Sequence, residues 1–173
     1  MKKSISATRS VFALCLFLPI SIALVACGPA ATDRRTIVAE KGAQVMPFDL
    51  ERTTHIFEKL KGGGLQQVVS DDGDDAQVRL IREHLSKESM RFSAGDFHSP
   101  AMIHGEDMAG LHELMTGADR LTIVYGEIDG GAQILYLAHT PDLIEAVHAW
   151  FDQQVSDHGS HAHTRSHTHS KSH

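Results

Sequence analysis

Cysteine is nearly absent from this 173-residue chain: Cys15 and Cys27 are the only two. Aromatic residues make up 6%, with one tryptophan, Trp150. Because both cysteines lie near the N-terminus, everything after Cys27 is without disulfides, thiolate metal sites or Cys nucleophiles. A soft metal would have to use Met sulfur, and a borderline metal His or carboxylate. Base is also scarce, with 16 Lys and Arg against 22 Asp and Glu and a formal net charge of -6. No Lys/Arg cluster appears, which excludes a nucleic-acid partner, since phosphate attraction needs a basic surface. There is no Gly-x-Ser-x-Gly elbow, P-loop, His-Glu-x-x-His or dinucleotide fingerprint, so the common hydrolase and nucleotide-dependent classes lose their support. What is present in quantity is apolar residues, at 42%, enough to exclude a wholly disordered chain, and histidine, with 13 copies.

Residues 1–26 read as an export signal: Lys2, Lys3 and Arg9, an apolar run from Val11 to Val25, then Leu24-Val25-Ala26-Cys27. That tetrapeptide resembles the lipobox of bacterial lipoproteins, whose Cys is acylated and becomes the first residue after cleavage. Several acyl chains hold a protein on a bilayer far more firmly than one. Gly28 follows in place of Asp, which implies passage to the outer membrane, periplasmic face. The competing reading is an uncleaved transmembrane helix, for which the run is short. The reading therefore divides the chain into signal (1–26), lipidated Cys27 with a flexible tether to residue 45, a globular domain over 46–157, and a disordered His-rich tail over 158–173.

Within the domain, Thr53 to Leu60 and Leu65 to Ser70 are strand-like around the turn Lys61-Gly62-Gly63-Gly64. The acids Asp71, Asp72, Asp74 and Asp75 then lead into a helix reaching about Phe92, with Val78, Ile81, Leu85 and Phe92 on one face. The order repeats: Leu121 to Ile128 and Ala132 to Ala138 flank Asp129-Gly130-Gly131, and a helix starts after Thr140-Pro141. Gly63-Gly64-Leu65-Gln66 matches Gly130-Gly131-Ala132-Gln133. The pattern predicts an α+β fold: two ββα units forming a mainly antiparallel four-stranded sheet with helices on one face. Ser93 to Gly117, rich in glycine, is expected to form short helical turns over one end of that sheet.

Six histidines fall from residue 158 onward: His158, His161, His163, His167, His169 and His173. Pairs such as His161-x-His163 place imidazoles close enough to share Zn, Cu or Ni, or they simply solubilise a tail. Met108, His112 and Met115 share helical spacing, which offers a thioether and imidazole face or ordinary core packing. His84 and His148 occupy the two predicted helices. Paired across a pseudo-twofold, they would ligate a metal or haem; alone, they are core residues. His55 on the first strand and Asp157-His158-Gly159 at the end of the last helix complete the candidates, although adjacent residues such as Asp157 and His158 rarely face one another.

Several phrases occur together: Met46-Pro47-Phe48-Asp49, Thr53-Thr54-His55-Ile56-Phe57, Gly63-Gly64-Leu65-Gln66, His104-Gly105-Glu106-Asp107-Met108-Ala109-Gly110-Leu111, and His148-Ala149-Trp150-Phe151-Asp152 through Asp157-His158-Gly159. Over residues 46–159 they resemble a family of small exported bacterial proteins that carries the label aspartate carbamoyltransferase. The resemblance implies a stable domain, a transferase activity as the label has it, and importance for His55, His104, His148 and His158. The residues themselves lead to a membrane-anchored periplasmic protein binding a metal ion or metal-containing ligand through histidines, with the tail as collector, and the four that the resemblance points to are the candidates within the domain. A small His/Asp-dependent enzyme and a structural or interaction lipoprotein are the alternatives. Replacing Cys27 with Ser should abolish acyl-probe labelling and release the protein from membranes; an unlabelled wild-type band that retains the signal's mass would contradict the anchor.

Overall fold

The two Gly-Gly turns determine how the sheet assembles. The computed structural model describes residues 31–165. Strands β1 (Thr53–Leu60) and β2 (Gly63–Ser70) form one hairpin, and β3 (Leu121–Ile128) and β4 (Gly131–Ala138) the other. The hairpins join antiparallel through their second strands, with Gln67 opposite Gln133 and their amides hydrogen-bonded at 3.0 Å. At this seam a Cβ on Gly63 would lie 1.9 Å from the Tyr136 carbonyl oxygen, and one on Gly131 would lie 2.0 Å from that of Val68. Glycine at the start of each second strand thus allows the two hairpins to meet.

Helix α2 (Asp75–Ser93) follows the first hairpin and α5 (Pro141–His158) the second. Asp74 caps α2 by accepting from the amides of Ala76 and Gln77. Alternation on the strands buries His55 and Phe57 of β1, Val68 of β2, and Ile134 and Tyr136 of β4. These pack with Ile81, Leu85 and Phe92 of α2 and with Val147, Trp150 and Phe151 of α5 in one core. Of the residues expected on the apolar face of α2, Val78 is half-buried and outside the cluster; on α5, Ile144 lies at the core's margin. Between the halves, α3 (His98–His104) and α4 (Leu111–Thr116) are the short helices expected over Ser93 to Gly117.

The α+β class holds, but three features depart from expectation. The sheet has five strands in the order β3-β4-β2-β1-β5, because β5 (Ala162–Thr164) lies parallel beside β1, pairing Ala162 with His55. Ala162 is buried there while His163 and Thr164 are exposed, so a segment of tail composition is held by edge pairing and one small apolar side chain. Order thus extends from His158 to Arg165, past the expected start of the tail. The expected tether is also helical: α1 covers Ala31–Val45. Val38 is buried but Ile37 is 43% exposed, so α1 has no apolar stripe for a periodicity test to find. The signal, Cys27 and the tail histidines His167, His169 and His173 lie outside the described residues. Among the described residues, no helix is long and apolar enough to cross a membrane.

Gly110, at φ 76°, brings the turn before α4 against α5, where a Cβ would sit 2.1 Å from the Ala146 carbonyl oxygen. Gly73 has a similar φ of 69° with nothing within 4 Å of such a Cβ. Gly73→Ala should therefore cost only backbone strain, about 1–2 kcal/mol. Gly110→Ala should cost about 2–4 kcal/mol, since it adds a clash to the same strain. Urea unfolding of the two variants tests this, and equal losses would mean that α5 yields freely.

Candidate functional site

A carboxylate buried at the end of α5 organises the site. Asp157 is 2% exposed and accepts four hydrogen bonds: from His104 Nδ1 at 2.8 Å, Arg34 Nε at 2.6 Å, Arg34 Nη2 at 2.9 Å and Gln153 Nε2 at 2.8 Å. Burial alone would raise its pKa, but the bonds from His104, Arg34 and Gln153 outweigh this and hold it well below the usual carboxylate range. Arg34 Nη2 also donates to the His104 carbonyl at 3.0 Å. A single guanidinium from α1 thereby braces both the end of α3 and the end of α5.

His104 is fixed as a consequence. Its Nδ1–H points to the carboxylate, and Nε2 has no hydrogen bond among the described residues. The His158 ring stands edge-on to it, with centroids 5.0 Å apart, and stacks on His55 at 5.1 Å with 25° between planes. His158 Nε2 donates to Gln154 Oε1 at 3.1 Å. His55 Nε2 is buried without a partner, as is Trp150 Nε1. All four side chains line one cavity of about 40 Å³, whose remaining wall is mixed, with Phe48 and Ile103 beside Gln66 and Glu88. His55 and His158 also line a surface groove of about 280 Å³ running between α1 and the segment after α5. The two imidazoles therefore form the partition between groove and cavity.

Size and donor chemistry limit the occupant. One water-sized occupant needs roughly 10–15 Å³, so the cavity takes about three or four at most. A haem does not fit. Nor are any three His, Cys, Asp or Glu side chains among the described residues already arranged to hold a metal ion, because the stacked pair presents ring faces to each other rather than nitrogens. Burial, reinforced by the neighbouring imidazoles, lowers the His55 pKa to about 4 and that of His158 well below its ordinary value. His84, on the same cavity and edge-on to Phe48, is lowered to about 4 by burial and by Lys87 and Arg91. These imidazoles are neutral at pH 7, the state a metal ligand requires.

Of the four domain histidines singled out in the sequence, the structure brings together His55, His104 and His158. His148 lies elsewhere: its Nε2–H is shared between the carbonyls of Leu60 and Gly63, at 2.9 Å each. It closes the first hairpin at the far end of β1, roughly 16 Å from His55 at about 3.3 Å per strand residue. His84 and His148 therefore do not form the pair expected across the pseudo-twofold. Met108 is buried in the core while His112 and Met115 are exposed, since α4 begins only at Leu111, so no common thioether and imidazole face exists. His161 approaches Glu51 at 3.7 Å at the rim of the groove, and His163 is exposed on β5.

Arg34, Gln154 and Trp150 were not anticipated, and Asp157 was paired in the sequence with its neighbour rather than with His104. One signal was available. Val147, Trp150, Gln154 and Asp157 follow helical three- and four-residue spacing on the buried side of α5. An amide and an acid on an apolar stripe require partners brought from elsewhere. Comparison with known protein families, with curated proteins and with solved structures gives no match to this chain.

The lowered histidine pKa values set a pH dependence. A group whose folded pKa lies below its unfolded value of about 6.5 favours the native state fully above that pH and loses the contribution as pH falls toward the folded pKa. Each such imidazole adds a slope of up to about 1.4 kcal/mol per pH unit. The urea midpoint should be level above pH 7 and fall steeply from 6.5 to 4.5, with His84→Phe reducing the slope by about one proton. A midpoint independent of pH across that range would contradict neutral burial.

Proposed function

We propose that this chain is a lipid-anchored, exported protein that binds a divalent transition-metal ion, of the Zn, Cu or Ni class, at His55, His104 and His158. The observation that carries the reading is the His104–Asp157 pair at 2.8 Å, both side chains 1% exposed. Metal-ligating histidines commonly donate their second ring N–H to a carboxylate, which fixes the tautomer and leaves the other nitrogen as ligand. Two further imidazoles, neutral at pH 7, adjoin it. Turning the stacked pair toward a shared ion sacrifices the single His158–Gln154 bond, a net cost of about 1 kcal/mol. The groove gives access, and the tail histidines act as collectors. Support for the lipid anchor and for the bilayer as partner comes from the Leu24-Val25-Ala26-Cys27 phrase.

The test separates domain from tail. In a full mature chain with His163, His167, His169 and His173 replaced by Ala, one metal equivalent should persist in equilibrium dialysis. His104→Ala or His158→Ala should remove it, and Asp157→Asn should weaken it about 10–100-fold, the usual effect of losing an outer carboxylate partner. No retained equivalent, or one indifferent to all three substitutions, would leave the histidines as packing residues.

A further inference from the structure

The sheet has two faces, and the core uses one of them. Side chains alternate across a strand, so while Phe57, Val68, Ile134 and Tyr136 enter the core, their neighbours point to the other side. Those neighbours include Ile56, Leu65, Val69, Val124, Leu135 and Leu137, and none of the six joins the core cluster or packs against it. Val124 is 45% exposed and the others are half-buried. The register sets them side by side: Leu135 of β4 lies between Leu65 of β2 and Val124 of β3. Charge is scarce on this side. Lys59 and Glu127 point to the helices, where they pair with Asp152 of α5 and Arg82 of α2, which leaves Glu58 as the one Asp, Glu, Lys or Arg that the four long strands place on it.

A contiguous apolar face of this kind marks an interaction surface, and its centre indicates the partner. There Gln67 Nε2 donates to Gln133 Oε1 at 3.0 Å, while Gln67 Oε1 and Gln133 Nε2 make no hydrogen bond among the described residues. One open acceptor beside one open donor complements the same pair turned over by a two-fold axis. Sheets pack face to face about 10 Å apart, a gap that two glutamine side chains meeting end to end span. Four strands about 4.8 Å apart and eight residues long at about 3.3 Å each make a face of roughly 500 Å². Two copies would then bury roughly 1,000 Å², where specific association begins. The chain itself offers little else as a cover. Helices α2 and α5 pack on the Phe57 side, and α1 packs on α3 and α5. Residues 166–173 have no apolar side chain. We infer that this face is a homodimer interface, two copies packing sheet to sheet about a two-fold axis at the Gln67–Gln133 pair, with each Gln133 amide donating to the Gln67 carbonyl of the other copy.

The experiment uses the full mature chain with Cys27→Ser, which removes both the acylation site and the last cysteine. Sedimentation equilibrium without metal should give a dimer that dissociates on dilution. Leu135→Lys should weaken it about a hundredfold or more, since two ammonium groups would meet across the interface. Leu135 lies outside the core cluster, so the variant should keep its circular dichroism and urea midpoint. A second measurement does not depend on that variant folding. Single nitroxide labels at Val124→Cys, on the face, and at Met90→Cys, 64% exposed on α2, should give a short distance between copies from the first and a long one from the second. A monomer at every concentration would overturn the inference. So would a dimer whose Val124 labels lie no closer than its Met90 labels, since the copies would then meet through another surface. A monomer that sediments with phosphatidylethanolamine–phosphatidylglycerol vesicles, and ceases to with Leu135→Lys, would give the face to a bilayer instead.

Discussion

Burying a carboxylate is among the costliest things a fold can do, several kcal/mol after relaxation, and the arrangement around Asp157 is the response to that cost. Its four hydrogen bonds come from three segments, α1, α3 and α5. Without them, α1 would contribute little beyond Val38 to the core, and α3 would lose the Arg34 brace on its last carbonyl. The same bonds orient His104 and thereby shape the cavity. Satisfying one buried charge and building the imidazole cluster are one structural event.

The site is asymmetric in a frame that is nearly symmetric. Two ββα units meet at the Gln67–Gln133 seam, with a glycine at the start of each second strand. Only β1 and α5 of that frame supply imidazoles to the cluster. The remainder comes from parts without a counterpart: α1 before the first unit, and α3 between the units. The repeated portion provides rigidity, and the unrepeated additions provide the chemistry.

What could be read from the sequence follows from how local each feature is. The four long strands, the hairpin turns, the Asp74 and Thr140 helix starts and the short helices after Ser93 are encoded by residues within a few positions of one another, and they appear where the pattern places them. Helix α1 and strand β5 are not local in this sense. The first is held by a guanidinium reaching across the molecule and the second by a neighbouring strand edge, so neither shows a period. The same division runs through the site. His55, His104 and His158 stood out by residue type, whereas the Asp157 pairing with His104 and the brace by Arg34 depend on contacts 53 and 123 residues apart. His148 misled because an imidazole on a buried face reads the same whether it serves a ligand or two backbone carbonyls.

The span between Arg34 and Asp157 also has a consequence in time. A chain emerging N-terminus first, from a ribosome or an export channel, presents Arg34 at the outset and Asp157 almost last. Contacts of such sequence separation form late because loop closure must come first. Until the end of α5 has emerged, Arg34 has no carboxylate to hold, His104 has no fixed tautomer, and β1 lacks its β5 edge. A nascent chain therefore carries scattered imidazoles but no pocket, and whatever the pocket selects, it selects from the compartment in which the last helix folds.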